Sequence, residues 1–237
     1  MLRIEHFSKT YRGGKRAVDD LSLEIAAGDI YGFIGHNGAG KTTTIRAVVG
    51  VQSFEEGDIL IDGISVKKDP VACKRMTAYI PDNPDLYEHL TGIQYLNFIG
   101  DVFEVPESDR IQRIRDYGDR LEITKNLGDL ISSYSHGMKQ KLAVLSALIH
   151  EPKLLVLDEP FVGLDPKAAH TLKLIMQELC ARGNAIFFST HVLDVAEKLC
   201  NKIAIIKEGR LIASGTMEQV KGDSSLEDIF LELIDHE

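Results

Sequence analysis

No stretch of this chain constrains its folding more than Gly35 to Thr42, which reads Gly-His-Asn-Gly-Ala-Gly-Lys-Thr. It fits G-x-x-x-x-G-K-[ST], the pattern of a phosphate-binding loop. Such a loop works between a strand and a helix, and the flanks supply both. Ile30-Tyr31-Gly32-Phe33-Ile34 is short, apolar and β-compatible, the profile of a buried strand. Thr43 to Val49 reads as a helix that stops at Gly50, a C-terminal capping residue. The glycines let the backbone wrap a polyphosphate, because a Cβ would block positive φ or the approach of the anion. Exposed N–H groups and the helix dipole then attract negative charge. Lys41 supplies a mobile cation for the terminal phosphates, and the Thr42 hydroxyl is placed for Mg²⁺. The candidate phosphate-contacting residues are therefore Gly35, His36, Asn37, Gly38, Ala39, Gly40, Lys41, Thr42 and Thr43. A glycine-rich turn of no chemical consequence would not need strand, lysine, hydroxyl and helix in register.

A chain of 237 residues buries a sizeable core, as one large α/β domain or a domain with a lobe inserted. Apolar content of 44% and charged content of 27% are ordinary for a soluble globular chain. A formal net charge of -9 argues against a nucleic-acid surface. No apolar run approaches the roughly 20 residues needed to cross a bilayer. Met1 to Arg12 alternates apolar and charged residues and has no signal-peptide core. Cys73, Cys180 and Cys200 are odd in number and lack CxxC spacing, so they read as small buried hydrophobes in a reduced, cytosolic compartment. The eight histidines do not cluster with cysteines at metal-site spacing, which argues against zinc.

Leu2, Ile4 and Phe7 predict a first strand; Leu21, Leu23 and Ile25, alternating with Ser22 and Glu24, predict a second. Ser8 to Arg16 between them is expected as a turn carrying Tyr11. Glu56-Gly57-Asp58 turns the chain into Ile59-Leu60-Ile61, and Asp62-Gly63 signals a hairpin returning through Ile64 to Val66. Met76 to Ile80 is a short strand broken by Pro81-Asp82-Asn83-Pro84. Thr91 is an N-cap ahead of Ile93, Leu96, Asn97 and Phe98, and Val105-Pro106 separates that helix from another over Asp109 to Leu121. Ser132 to His150 opens with a serine-rich turn and continues as a helix apolar on one broad face. Residues 84–150 are thus expected to form a mainly helical lobe inserted in a single domain spanning 1–237. The last third returns to α/β: strands at Leu154 to Leu157 and Ala185 to Ser189, helices at Pro166 to Arg182 and Val192 to Leu199. A hairpin of Ile203 to Ile206 and Leu211 to Ala213 and a terminal helix from Ser225 to Ile234 close the chain.

Leu154-Leu155-Val156-Leu157-Asp158-Glu159 is an apolar strand ending in two carboxylates. A buried strand can deliver Asp158 to the Mg²⁺ shell beside the phosphate loop. Glu159 then reaches the far side of the γ-phosphate, where it could polarise an attacking water. Taken alone, a strand ending in polar turn residues before Pro160 is the plainer alternative.

With these motifs in place, the chain resembles the nucleotide-binding subunit of an ATP-binding cassette (ABC) transporter over essentially its whole length. The resemblance implies an α/β fold with a P-loop NTPase core, a β-rich N-terminal subdomain and an inserted α-helical subdomain. Gly35 to Thr42 is similar to the family's Walker A motif, and Leu154 to Glu159 to its Walker B motif with catalytic Glu159. Gly163-Leu164-Asp165 is similar to its D-loop, and Ser189-Thr190-His191 to its switch segment, where His191 would contact the γ-phosphate. Tyr11 falls where the family stacks an aromatic on adenine, and Ser135 and Gly137 fall in its signature motif, which holds the ATP of a partner subunit. Tyr11 and His191 also fit ordinary packing roles, and Asp165 ahead of Pro166 also fits a local N-cap.

Some positions depart from the family's pattern. The usual Leu-Ser-Gly-Gly-Gln signature is here Tyr134-Ser135-His136-Gly137-Met138, the D-loop begins with Val162 in place of serine, and the glutamine after the Met76 to Ile80 strand is Asp82. Asp82 is shorter and negative; it still offers an oxygen to Mg²⁺, as Asn83 would if the loop shifts by one residue. The resemblance therefore implies a working ATPase with ATP and Mg²⁺ as cofactors. It implies a homodimer or heterodimer of ATPase subunits with ATP at the interface, and a separate polytopic membrane permease that holds the subunit on the inner face of the cell membrane. The helical lobe and the loop around Asp82 to His89 would be the coupling surface. The Tyr-Ser-His-Gly-Met form and the Ser225 to Phe230 ending resemble branches that often serve export. Two rivals differ in class: a soluble ABC ATPase not coupled to transport, and a P-loop kinase or GTPase acting alone. The second leaves the signature segment and His191 unexplained.

Overall fold

The computed structural model describes the backbone of residues 1–235 and the side chains of residues 1–233. Alternation builds its first sheet. β1 (Leu2–Thr10) turns Leu2, Ile4 and Phe7 inward and pairs antiparallel with β2 (Arg16–Ile25). The turn between them is shorter than expected, Tyr11 to Lys15. Ser8 and Lys9 lie in the strand with partners for their polar groups: Ser8 Oγ accepts from Arg16 Nη2 and from Asp20 N, each at 2.9 Å, and Lys9 Nζ stands 3.7 Å from Glu55 Oε2. β3 (Ile30–Ile34) is buried throughout and runs into the phosphate loop and α1 (Lys41–Val48). β4 (Glu56–Ile61) and β5 (Ile64–Ser65) complete the antiparallel order β2-β1-β4-β5. Their hairpin turns on Asp62 and Gly63 at φ 51° and 81°, the two left-handed residues that a type I′ turn demands. Glu56 to Asp58 is not a free turn; it opens β4, with an irregularity against β1 between Glu5 and Ser8.

A short helix that composition does not announce, α2 (Pro70–Met76), precedes β6 (Thr77–Ile80). Asp69 caps it by accepting from Ala72 N at 3.0 Å, with Pro70 in the first turn. α3 (Gly92–Val102) starts from a full capping box between Thr91 and Gln94. α4 (Glu107–Arg120) and α5 (His136–Leu148) follow. Leu96 is fully buried in α3 but Phe98 is 42% exposed, so the inward face is narrower than the apolar count suggests. α5, conversely, is buried almost all round from Leu142 to Leu148. The chain then runs through β7 (Leu154–Asp158), α6 (Pro166–Ala181), β8 (Ala185–Thr190), α7 (Leu193–Leu199), β9 (Lys202–Lys207) and β10 (Arg210–Thr216). It ends in α8 (Met217–Lys221), which opens with a Thr216–Gln219 capping box, and α9 (Leu226–Asp235).

The second sheet has the order β10-β9-β3-β8-β7-β6, parallel except for β10. Both its faces are covered, which is why its strands read as continuous apolar runs. Along β7, Leu154 and Val156 join the core beneath the antiparallel sheet, whereas Leu155 and Leu157 join the core shared with α3 to α7. The three cysteines are buried and unpaired.

His150, just past α5, stacks flat on Phe103 with centroids 3.7 Å apart. Burial pushes its imidazole down to about 4 from an ordinary 6.5. The unfolded chain therefore takes up this proton first as the pH falls. His150's contribution to stability is complete above 6.5 and is lost as the pH descends towards 4. The gap in melting temperature between the wild type and His150→Gln should narrow across that window; a gap independent of pH would show that burial does not suppress the charge.

Candidate functional site

Strand register carries the chemistry to one edge. β3, β8 and β7 are neighbours running the same way, with Ile34 beside Thr190 and Asp158 beside Ser189. Their carboxyl ends therefore deliver the phosphate loop, the Ser189-Thr190-His191 segment and the Asp158-Glu159 pair to one crevice, where open α/β sheets bind ligands.

The loop itself is shaped by what cannot fit. A Cβ on Gly35 would lie 2.5 Å from the Ile206 carbonyl of β9, so the loop can pass only as glycine. Gly40 adopts φ 111°, and a Cβ there would meet Ala17 O at 2.7 Å. Gly40 is also the N-cap of α1 and supplies no side-chain cap, so the first amides of α1 keep their capacity for an anion. Lys41, the first residue of that helix, is 6% exposed. Its Nζ donates to Gly35 O at 2.6 Å and His36 O at 3.3 Å and stands 3.8 Å from Glu159 Oε1. Burial lowers the Lys41 pKa, and the charges of Glu159 and Asp158 oppose that shift.

Ser189 entered the sequence reading only as the first residue of the switch segment, with no role of its own, yet it organises both carboxylates. Fully buried, its hydroxyl donates to Asp158 Oδ1 and accepts from Glu159 N at 3.1 Å. Glu159 itself takes a left-handed φ of 50°, uncommon for a side-chain-bearing residue and a mark of functional sites. The twist turns its carboxylate towards His191, whose Nδ1 is 2.9 Å from Glu159 Oε1. For the ATPase that the sequence resemblance implies, Ser189→Ala should lower turnover about tenfold, a typical cost for an outer-shell partner, while nucleotide affinity changes less than about twofold. Steady-state and binding measurements together check this, and equal losses in both would instead indicate a damaged loop.

Tyr11 stands at the rim. Its turn is closed by its own N–H donating to Lys15 O at 2.9 Å, and its hydroxyl lies 3.1 Å from Thr43 Oγ1. Around these groups opens a cleft of about 270 Å³, lined by Tyr11, Lys15, Ala17, His36, Asn37, Gly38, Gly40, Lys41, Thr42, Thr43, Asp82, Asp158 and Glu159. Gly35 and Ala39 are buried beneath it, and His191 joins it through Glu159. Lys15 and Ala17 belong to the lining although no motif marks them; only their position after Tyr11 could have signalled it.

Ser135 and Gly137 are not in this cleft. Ser135 caps α5, accepting from Met138 N at 3.3 Å, and Gly137 lies close to the Gly163 carbonyl. The His136 ring lies so near Gly163 that a Cβ there would fall 2.4 Å from its Cδ2. Asp165 does act as a local N-cap, accepting from Ala168 N at 2.9 Å, and it also pairs with Lys141 Nζ at 3.0 Å.

The donor set fits a nucleoside triphosphate: uncapped helix amides, one buried lysine and a hydroxyl at the helix start. Among the described residues no group of three or more His, Cys, Asp or Glu could cage a metal. Mg²⁺ takes one or two carboxylates and draws its other ligands from phosphate and water. Thr42, Asp82 and Asp158, the oxygen-bearing side chains that the sequence assigns to Mg²⁺, all line this cleft.

Comparison with known proteins places these features in a family. A family model described as ABC transporter matches residues 18–162. The chain is 36% identical over 213 residues to an uncharacterized ABC transporter ATP-binding protein, YhcH of Bacillus subtilis (strain 168), covering 90% of this chain and 68% of that one. Its fold is similar to a solved ATP-binding subunit of an ABC transporter, with a TM-score of 0.95, 33% identity and 99% of each chain covered. It is also similar to CbiO1 from Clostridium perfringens, described as part of the ABC transporter complex cbiONQ, with a TM-score of 0.81, 25% identity and 99% and 96% of the two chains covered.

Proposed function

The chain belongs to the ABC transporter family as an ATP-binding subunit, and on that premise we propose that it hydrolyses ATP with Mg²⁺ to drive transport through a separate polytopic permease. The observation that carries this reading is the Glu159–His191 contact at 2.9 Å, set at the mouth of the cleft that holds Lys41. Tyr11 offers its ring to the adenine. The loop from Gly35 to Thr43 wraps the phosphates with backbone amides, and Lys41 balances their charge. Glu159 accepts a proton from the attacking water, while His191 holds Glu159 in place and brings an imidazole donor towards the terminal phosphate. Mg²⁺, held by Thr42, Asp158 and Asp82, would neutralise charge on the phosphate oxygens.

Ser135 and Gly137 serve the nucleotide of a second ATPase subunit, a copy of this chain or a related one. Their separation from the chain's own cleft supports that role. Residues 84–150 act as the lobe that meets the permease. Among the described residues no helix is long and apolar enough to cross a membrane. An exposed aromatic group lies next to the Asp82 loop instead: Tyr87, 50% exposed, packs edge-on against Phe98 and Tyr95 with centroids 5.6 and 6.0 Å away. In this reading the subunit sits on the inner face of the cell membrane, with export the favoured direction from its signature and C-terminal sequence.

Purification from detergent-solubilised membranes tests the coupling. A polytopic protein should co-purify and stimulate ATP turnover. Recovery of full activity with no membrane protein attached would favour an ATPase uncoupled from transport.

A further inference from the structure

The C-terminal helix reaches back to the phosphate loop. Phe230 on α9 is 6% exposed and meets the His36 ring at 60°, with centroids 5.1 Å apart. His36 is the second residue of the loop, and its carbonyl accepts from both Ala39 N at 3.1 Å and Lys41 Nζ at 3.3 Å. α9 is in turn pinned to α7. The fully buried Leu226 donates its N–H to Glu197 Oε2 at 3.1 Å, and Lys221 pairs with the same carboxylate. α7 begins two residues after His191. One helix therefore braces the loop that holds Lys41 and the helix that follows the Glu159 partner. None of the chemistry assigned to the cleft calls for Phe230.

We infer that Phe230 is a positioning residue for nucleotide binding, acting through His36. An exposed imidazole without a packing partner samples several rotamers, and because rotamer choice is coupled to φ and ψ, fixing one rotamer narrows the backbone conformations open to His36. Held by the edge of a buried aromatic ring, His36 keeps one orientation, and its carbonyl stays aimed at Lys41 before phosphate arrives. The cost of ordering the loop is thereby met within the folded chain and not at the moment of binding. The inference rests on the reading of the cleft as an ATP site and deepens it.

The test is a double-mutant cycle on ATP affinity, using the full chain with Mg²⁺. Phe230→Ala and His36→Ala should each raise the Kd for ATP about fivefold, the worth of one aromatic pair, and the double variant should do no worse than either alone. Phe230→Tyr should bind as the wild type does, as should Leu231→Ala, which alters an exposed position on the same helix. Should Phe230→Ala fail to fold, Phe230→Leu fills most of the same space without the aromatic edge. It should fold with a modestly lower melting temperature and still weaken ATP binding. Single variants with wild-type affinity, or losses that multiply in the double variant, overturn the inference and leave the ATP site standing. A wild-type chain that binds no ATP overturns both.

Discussion

Glu159→Gln is expected to lower ATP turnover by about a thousandfold, within the range for loss of a general base, while ATP affinity stays within about twofold. Several features of the site single out this residue. Glutamine keeps the length and shape of the side chain, so the left-handed turn at φ 50° and the bond from Glu159 N to Ser189 Oγ survive. What disappears is the negative charge next to His191 Nδ1 and Lys41 Nζ. Phosphate binding relies on the loop and Lys41 and is not harmed by removing a nearby anion. The substitution therefore separates binding from chemistry. With hydrolysis blocked, two subunits closed on ATP should stay closed, and an ATP-dependent dimer should appear in size-exclusion chromatography. Residual turnover near the wild-type rate would remove Glu159 from the chemistry. A variant that stays monomeric with ATP and its membrane partner present would count against the two-subunit arrangement.

The contrast between Glu159 and Ser189 shows what could be read from the chain alone. Gly35 to Thr42 was legible because the spacing of glycines, lysine and hydroxyl is itself the chemistry, and the buried strands before it and before Asp158 announce themselves as apolar runs. Ser189 lies in the switch segment, but that pattern gives its hydroxyl no role. A serine near the end of a strand is commonplace, and its role comes from register, since only the pairing of Asp158 with Ser189 across β7 and β8 brings its hydroxyl to both carboxylates. Register between strands some thirty residues apart is a tertiary fact. The same holds for Phe230 and His36, far apart in sequence and joined only by the docking of α9. The short helices α2 and α8 are a different case. Their caps, Asp69-Pro70 and Thr216 with Gln219, were present in the sequence, but so few residues give no apolar periodicity to read. Apolar content also misled at Phe98, because a helix on the surface of a lobe can leave an aromatic facing outward.

Lys41→Ala should abolish measurable ATP binding, with a loss of about a hundredfold or more, as expected when one partner of a buried charge pair is truncated. The reasoning begins from the protein without nucleotide. Lys41 is desolvated, which lowers its pKa, and it remains paired with Glu159 and two loop carbonyls. Removing it takes away a costly buried cation, but it also leaves Asp158 and Glu159 without the lysine charge they act on. These changes oppose each other in the apo protein, so its melting temperature should move little. In the nucleotide complex they act together, because the triphosphate then meets two carboxylates with no lysine between them. The ATP-induced rise in melting temperature is therefore the decisive reading: present in the wild type and absent in the variant. Lys41→Arg should not restore it. The Nζ sits 2.6 Å from Gly35 O, against a glycine whose Cβ has no room beside Ile206, and the broader guanidinium cannot occupy that corner without displacing the loop. A full ATP-induced shift in Lys41→Ala would mean that the backbone amides and the helix N-terminus hold the phosphates unaided.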